Sequence, residues 1–381
     1  MGNITERGPN HRAVMVLLVV LLGLVAVAAS TSSRPERNGN AYLGLPGSND
    51  TTEVLKSQAV VALGKKLFFD TRLSADSTIS CASCHRPELA FSDGLRVARG
   101  VSGRSGTRNA PTLLNVAFSE SFFWDGRRPS LESQARDPFV NPIEHGLTSH
   151  ETLIQIIKND PDYQKLFRDV YGVSEDAIDL PNITRALAGF QRTLVAGDSA
   201  FDRYYFGKNA QAMSQSAIRG WELFRGRARC VTCHIIGKDY ALFTDNRFHS
   251  LSIGLRKIGT KLPDLVTKLA KMQREERERL IFLDPAVSEL GRFVVTLDPA
   301  DIGKFKTPSL RNAALTAPYM HDGSVKTLED AIEIEVYYRS TQDGRPLVVA
   351  PDEKADLLEF LRALTSPHLS PETSEKRTKN H

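Results

Sequence analysis

The chain has 381 residues, 41% of them hydrophobic and 25% charged, proportions that exclude a disordered tail protein and a membrane bundle. That length exceeds what one small core needs, so two domains are expected. The net charge of +4 comes without a block of like charge, and gives no ground to expect a nucleic-acid partner.

In chain order, Arg7, His11 and Arg12 precede an uncharged apolar run from Ala13 to Ala29, the pattern of a secretion signal. Ala26 and Ala28 form an A-x-A-like site, so residues 1–28 read as a signal peptide, or as an N-terminal anchor where cleavage does not occur. Export to the periplasm is the expectation. Residues 29–50 form a polar linker with Pro35 and Pro46, and residues 366–381 a polar, disordered tail.

Between these ends the periodic segments are helical. A helix is expected over Thr51–Phe69, and another over Pro181–Val195, where Ile183, Leu187, Phe190 and Leu194 fall on one face. Ser214 caps a helix that carries Ile218, Trp221 and Phe224 and stops at Gly226. Lys261–Ile281 reads as a charged amphipathic helix inserted in the second half for surface packing. Thr327 opens a further helix, and a last one spans Asp352–Leu364. Alternating strands are scarce. The loops Ala90–Pro111 and Phe122–Leu147 are too long for mere connections, which points to function.

The four cysteines fall in two pairs, each followed by histidine: C-A-S-C-H at Cys81, Cys84 and His85, and C-V-T-C-H at Cys230, Cys233 and His234. This is the pattern for covalent haem attachment, with two thioethers to the porphyrin and the histidine beneath the iron. The pairs lie much farther apart in the chain than the roughly 15 to 20 residues of a zinc ribbon. Two covalently bound c-type haems are therefore expected. A helix, a loop and a cysteine motif occur twice, a weak internal duplication. The fold class is all-α, two cytochrome c-like haem domains with long functional loops: residues 51–197, residues 198–345, and a C-terminal helix at 346–365 packing back.

Peroxide cleavage needs a group that takes a proton from one oxygen and returns it to the other. Glu144, in N-P-I-E-H-G, is the candidate.

Several motifs occur in order: Leu67-Phe68-Phe69-Asp70, C-A-S-C-H, T-R-N-A-P-T, F-W-D-G-R, L-E-S-Q-A and N-P-I-E-H-G. They continue with C-V-T-C-H, D-N-R-F-H, G-K-F-K-T-P-S-L-R-N and L-T-A-P-Y-M-H-D-G-S. From Thr51 to Leu364 the chain resembles the bacterial diheme cytochrome c peroxidase and MauG family. The resemblance implies that Glu144 is the distal acid-base glutamate, that Gln134 shapes the same pocket, that Phe123 walls it and that Trp124 lies between the haems. It also implies a calcium ion between the domains at Asn109, Thr316 and Pro318, a hard cation suited to carbonyl oxygens.

Two departures from the family matter. The loop histidine that caps the active haem in many of the peroxidases is matched by Val101, and no histidine occurs between His85 and His145. The first haem should therefore be open without reductive activation. His145 replaces the usual methionine beside the glutamate and is a second group that can reach the pocket. On the second haem the methionine ligand of the peroxidases, a tyrosine in MauG, is matched by Glu335. This carboxylate either ligates the iron or forms an i,i+4 ion pair with Arg339. Tyr337 and Tyr338 are the fallback ligands.

The function implied is a diheme c-type peroxidase that reduces hydrogen peroxide to water with electrons from a small donor protein, a cytochrome c or cupredoxin. The alternatives are a MauG-like oxidase acting on a partner protein and a non-catalytic diheme electron carrier. A homodimer stays open on sequence alone.

Overall fold

The computed structural model describes Gly2 and residues 42–47, 57–342, 344 and 346–369. The expected signal or anchor, most of the linker and residues 370–381 lie outside the described residues. Among those described, no helix is long and apolar enough to cross a membrane. The architecture is helical, and the strands among the described residues are a single two-residue antiparallel pair, Phe248–His249 with Phe305–Lys306.

Within the unit that begins at Tyr42, two apolar cores are each built on a crossed helix pair. In the first, the Gln58–Phe69 helix lies against Leu180–Arg192, burying Leu63, Leu67 and Phe68 against Ile183, Leu187 and Phe190. The approach is close enough that a Cβ on Gly64 would sit 1.9 Å from the Ala186 carbonyl oxygen, so only glycine fits there. In the second core, Gln215–Arg225 crosses Pro351–Arg362, with Trp221 and Phe224 against Phe360. Gly220 repeats the device, 1.9 Å from the Asp356 carbonyl oxygen. Ser214 caps its helix through Ala217 N, and Gly226 ends it, as expected.

The helix expected to begin at Thr51 is described from Gln58, where the Ser57 hydroxyl accepts from Val60 N. Lys261–Ile281 is not one surface helix. It forms two, Leu262–Ala270 and Arg274–Leu283, broken at Lys271–Gln273. With Val287, Leu290, Phe293 and Val294 they build a third small core. Its inner face carries Ile281, fully buried, and meets the first haem lobe: Thr107 Oγ1 donates to the Ile281 carbonyl (2.7 Å), and Arg128 pairs with Glu278 (2.7 Å).

The ends are also more ordered than composition implies. Leu43 N donates to Asp198 Oδ1 (2.9 Å), and Ala241 N to the Gly44 carbonyl (3.0 Å), so residues at the end of the linker pack into the body. The expected tail begins ordered, because Ser366 is fully buried and its N–H donates to Asn312 Oδ1 (2.8 Å).

Candidate active site

Each C-x-x-C-H motif forms one tight turn, Cys81–Cys84 as a single α-turn and Cys230–Thr232 as a 3-10 turn. All four thiols are unpaired, and burial pushes those of Cys81, Cys84 and Cys230 up to about 12. The two histidines are oriented alike. His85 Nδ1 lies 3.1 Å from the Phe91 carbonyl oxygen and His234 Nδ1 lies 2.8 Å from that of Phe243. A carbonyl only accepts, so each Nδ1 carries the hydrogen and each Nε2 keeps its lone pair. Burial holds His85 below the usual imidazole range and His234 at about 4, so both rings are neutral and fit to bind a metal.

The two carbonyls are presented by residues in the left-handed region, Phe91 at φ 58° and Phe243 at φ 53°. Bulky side chains rarely adopt this conformation, and in both lobes it turns the carbonyl toward the histidine.

Around the first motif one large cavity is walled by Cys81, Cys84 and His85 together with Glu144, Gln134, Phe123 and Trp124. The sequence-expected residues of the peroxide site are thus brought to one place. Residues from the second half close the same cavity, among them Leu242, Thr244, Asn246 and Thr307, and so do Ile281 and Phe282 of the insertion. Glu144 follows the Asp137–Val140 helix, and Asn141 Nδ2 donates to its Oε1 (2.7 Å). Burial raises the Glu144 carboxyl to about 6, opposed by the Arg127 guanidinium and the Asn141 hydrogen bond and assisted by Asp137. Trp124 is fixed at both ends: its Nε1 donates to the Asn109 carbonyl (3.0 Å), and its own carbonyl accepts from Lys306 N (2.8 Å).

His145 also reaches the wall of this cavity, but its Nδ1 donates to the Leu73 carbonyl (2.9 Å) and its ring packs edge-on against Phe139. Val101 is buried and absent from the cavity wall. Two lining residues escaped the sequence reading. Arg127 was visible only as the end of F-W-D-G-R, with nothing to single it out. Lys306 is a half-buried ammonium whose Nζ donates to the Ser121 carbonyl (2.6 Å), and desolvation lowers it to about 8. It forms no ion pair among the described residues, although Glu120 is near enough to favour its charge, an arrangement that suits the acidic edge of a haem.

At the second motif, Arg339 Nη1 donates to Thr232 Oγ1 (2.9 Å) and Nη2 points to Cys233 Sγ (3.7 Å). The expected alternative of an ion pair between Arg339 and Glu335 is not formed. Glu335 has no ion-pair or hydrogen-bond partner among the described residues, and burial raises its carboxyl while Arg339 and His249 oppose. Tyr337 is 53% exposed and packs edge-on against Tyr338. The donor sets in both lobes fit covalent haem: two thiols and one imidazole with a free Nε2.

Asn109 lies where the halves meet. Its N–H donates to the His321 carbonyl (2.9 Å) and its Nδ2 to the Leu95 carbonyl (2.9 Å). In the neighbouring loop, Thr316 Oγ1 donates to the Ala313 carbonyl (3.3 Å).

The family model of the di-haem cytochrome c peroxidases, CCP_MauG, matches residues 58–210. The chain is 38% identical over 309 residues to the methylamine utilization protein MauG of Methylorubrum extorquens, covering 80% of this chain and 77% of that one. It is 34% identical over 374 residues to the cytochrome-c peroxidase IdrP1 of Pseudomonas sp. strain SCT, covering 93% of each. Among solved structures, a MauG-like protein associated with microbial copper homeostasis superposes with a TM-score of 0.69 at 31% identity, covering 89% of this chain and 99% of that one. The chain belongs to the di-haem cytochrome c peroxidase family.

Proposed function

We propose that hydrogen peroxide is reduced in the cleft of the first haem, with Glu144 as the acid-base group. The observation that carries this reading is that a carboxylate poised near neutrality shares one cavity with Cys81, Cys84 and His85. A proton acceptor works best when its pKa lies near the working pH. Glu144 takes a proton from peroxide and returns it to the oxygen that leaves as water. Asn141 holds the Glu144 carboxylate in register, Gln134 and Phe123 shape the pocket, and Trp124 carries electrons between the lobes. A haem bound through each motif supplies the iron and the redox equivalents.

The lobes divide near residue 197, and the helix of residues 346–365 belongs with the second. Glu335 would be the second protein ligand of that lobe's iron, a reading supported by its half-buried carboxylate without an ion-pair or hydrogen-bond partner among the described residues. A calcium ion is held by Asn109, Thr316 and Pro318. In support, the Asn109 amide nitrogen is already committed to Leu95, which leaves Oδ1 as the end available to a cation. The protein works in the periplasm, with a cytochrome c or cupredoxin as electron donor.

A second reading, MauG-like oxidation of a partner protein, is favoured by Val101 and Glu335, because an open first haem and an anionic ligand on the second favour storing oxidising equivalents. Stopped-flow addition of peroxide with and without reduced cytochrome c separates the two. Fast oxidation of the carrier supports the peroxidase, and a long-lived oxidised species with negligible carrier oxidation supports the oxidase.

A further inference from the structure

The inserted helices supply more than packing. Arg127 lines the cavity that holds Glu144, and its guanidinium lies 3.4 Å from the centre of the Phe123 ring and 5.1 Å from that of Phe282. Phe282 comes from the inserted Arg274–Leu283 helix. Behind it, Asp125 is fully buried and shared by two guanidiniums, Arg127 (3.0 Å) and Arg108 (2.5 Å). Arg108 is tied to the insertion through the hydroxyl and carbonyl of Ser288 (3.0 and 3.1 Å). Two buried cations thus share one carboxylate. Arg127 Nε is buried with no hydrogen-bond partner, and Asp137 Oδ2 is 4.0 Å away. Arg127 is thus only partly compensated, by a carboxylate it shares with Arg108 and by Asp137 at 4.0 Å, and its charge sits in the wall of a partly enclosed site, where a charge acts far more strongly than in water.

We propose that Arg127 is the cation of the peroxide pocket, stabilising anionic oxygen species there, and that the insertion, through Phe282, is the element that positions it. This rests on the reading that the first haem is open. The same guanidinium lowers the proton affinity of Glu144, so acid and cation act together. When Glu144 has taken a proton from peroxide, the negative charge left on oxygen faces Arg127. When the O–O bond breaks, the departing hydroxide takes the bonding pair and the proton that Glu144 returns and leaves as water, while the two electrons that reduce the remaining oxygen would come from the haems. The insertion is then a working part of this chain's pocket.

The test compares an anionic with a neutral haem ligand in the full-length holoprotein: azide with the oxidised first haem, and carbon monoxide with the reduced one. Arg127→Gln should weaken azide about tenfold or more, with carbon monoxide unchanged, and Arg127→Lys should restore part of the loss. Phe282→Leu, which keeps bulk but removes the aromatic face, should produce a smaller selective loss of azide affinity. If Arg127→Gln moves both ligands together or leaves azide unchanged, Arg127 is not the pocket cation. If only Phe282→Leu is silent, the positioning role of the insertion falls. A wild-type protein that binds no azide at the first haem would overturn the open-haem reading itself. Arg127→Lys and Phe282→Leu keep the proposal testable should Arg127→Gln not fold.

Discussion

The backbone N–H of Val101 donates to the carbonyl oxygen of Glu144 over 3.0 Å, so the loop after the first haem motif and the loop carrying the acid fold as one unit. The Val101 side chain packs beneath that unit, and a Cβ on Gly146 would come within 2.8 Å of its Cγ2. A residue so placed offers the iron no ligand. We therefore expect the fully oxidised protein to bind cyanide at the first haem and to react with peroxide at once. Spectra of the oxidised protein with cyanide check this, and a reaction that starts only after reduction would sink it.

Glu144 carries the sharpest pH prediction. Its carboxyl sits at about 6 because burial disfavours the charged form. Above that pH it is ionised and accepts a proton, and below it the base is lost, so the rate with peroxide should fall as pH drops through about 6. Glu144→Gln should lower the rate about a hundredfold or more and abolish this acid limb. Stopped-flow rates across the acid and neutral range decide it, and an unchanged wild-type-like profile in the variant would reject the assignment.

Glu335 is tested by spectrum and potential. An anionic oxygen ligand stabilises ferric iron, whereas methionine raises the potential. Glu335→Met should move the second haem to a higher midpoint and change its low-spin spectrum, and Glu335→Gln should disturb the same signals. Spectra unchanged in both variants mean that the carboxylate does not touch the iron.

Much of this site was legible because its chemistry sits in short runs whose spacing is itself the signal. C-x-x-C-H needed no tertiary information, Glu144 in N-P-I-E-H-G was reached through the need for a proton acceptor and the family resemblance, and Ser214 and Gly226 marked a helix by their capping chemistry. What stayed hidden depends on residues distant in sequence. Phe282 reaches the Arg127 guanidinium from an inserted helix, and nothing in a run of mixed charge and apolar residues reveals which cavity its apolar face will meet. The internal duplication also runs deeper than the cysteine motifs. Phe91 and Phe243 share positive φ, as do Asn115 and Asn312, and the Phe122–Arg128 bridge of one lobe recurs as Tyr319–Val325 in the other. Sequence divergence masks this, because backbone conformation is retained where side chains have changed: His321 follows left-handed Met320 as Trp124 follows left-handed Phe123.

Arg311 and Asp202 form the most enclosed ion pair among the described residues, 2.8 Å apart with side chains 1% and 0% exposed. Arg311 also donates to the carbonyls of Ala241 and Gly44 (both 2.6 Å), while Asp202 Oδ2 accepts from the N–H and hydroxyl of Ser199 (both 2.9 Å). Removing one partner strands the other charge away from water, so Arg311→Met should cost about 3 to 5 kcal/mol. It should also loosen the segment around Gly44, whose carbonyl loses one of its two donors and keeps Ala241 N. Replacing both partners with apolar side chains removes the stranded charge, so the double variant should lose less than the two single variants summed. Urea unfolding of the holoprotein followed by circular dichroism measures all three. Strict additivity would mean that the pair is not coupled, and a stability change below about 1 kcal/mol in Arg311→Met would mean that water reaches the site.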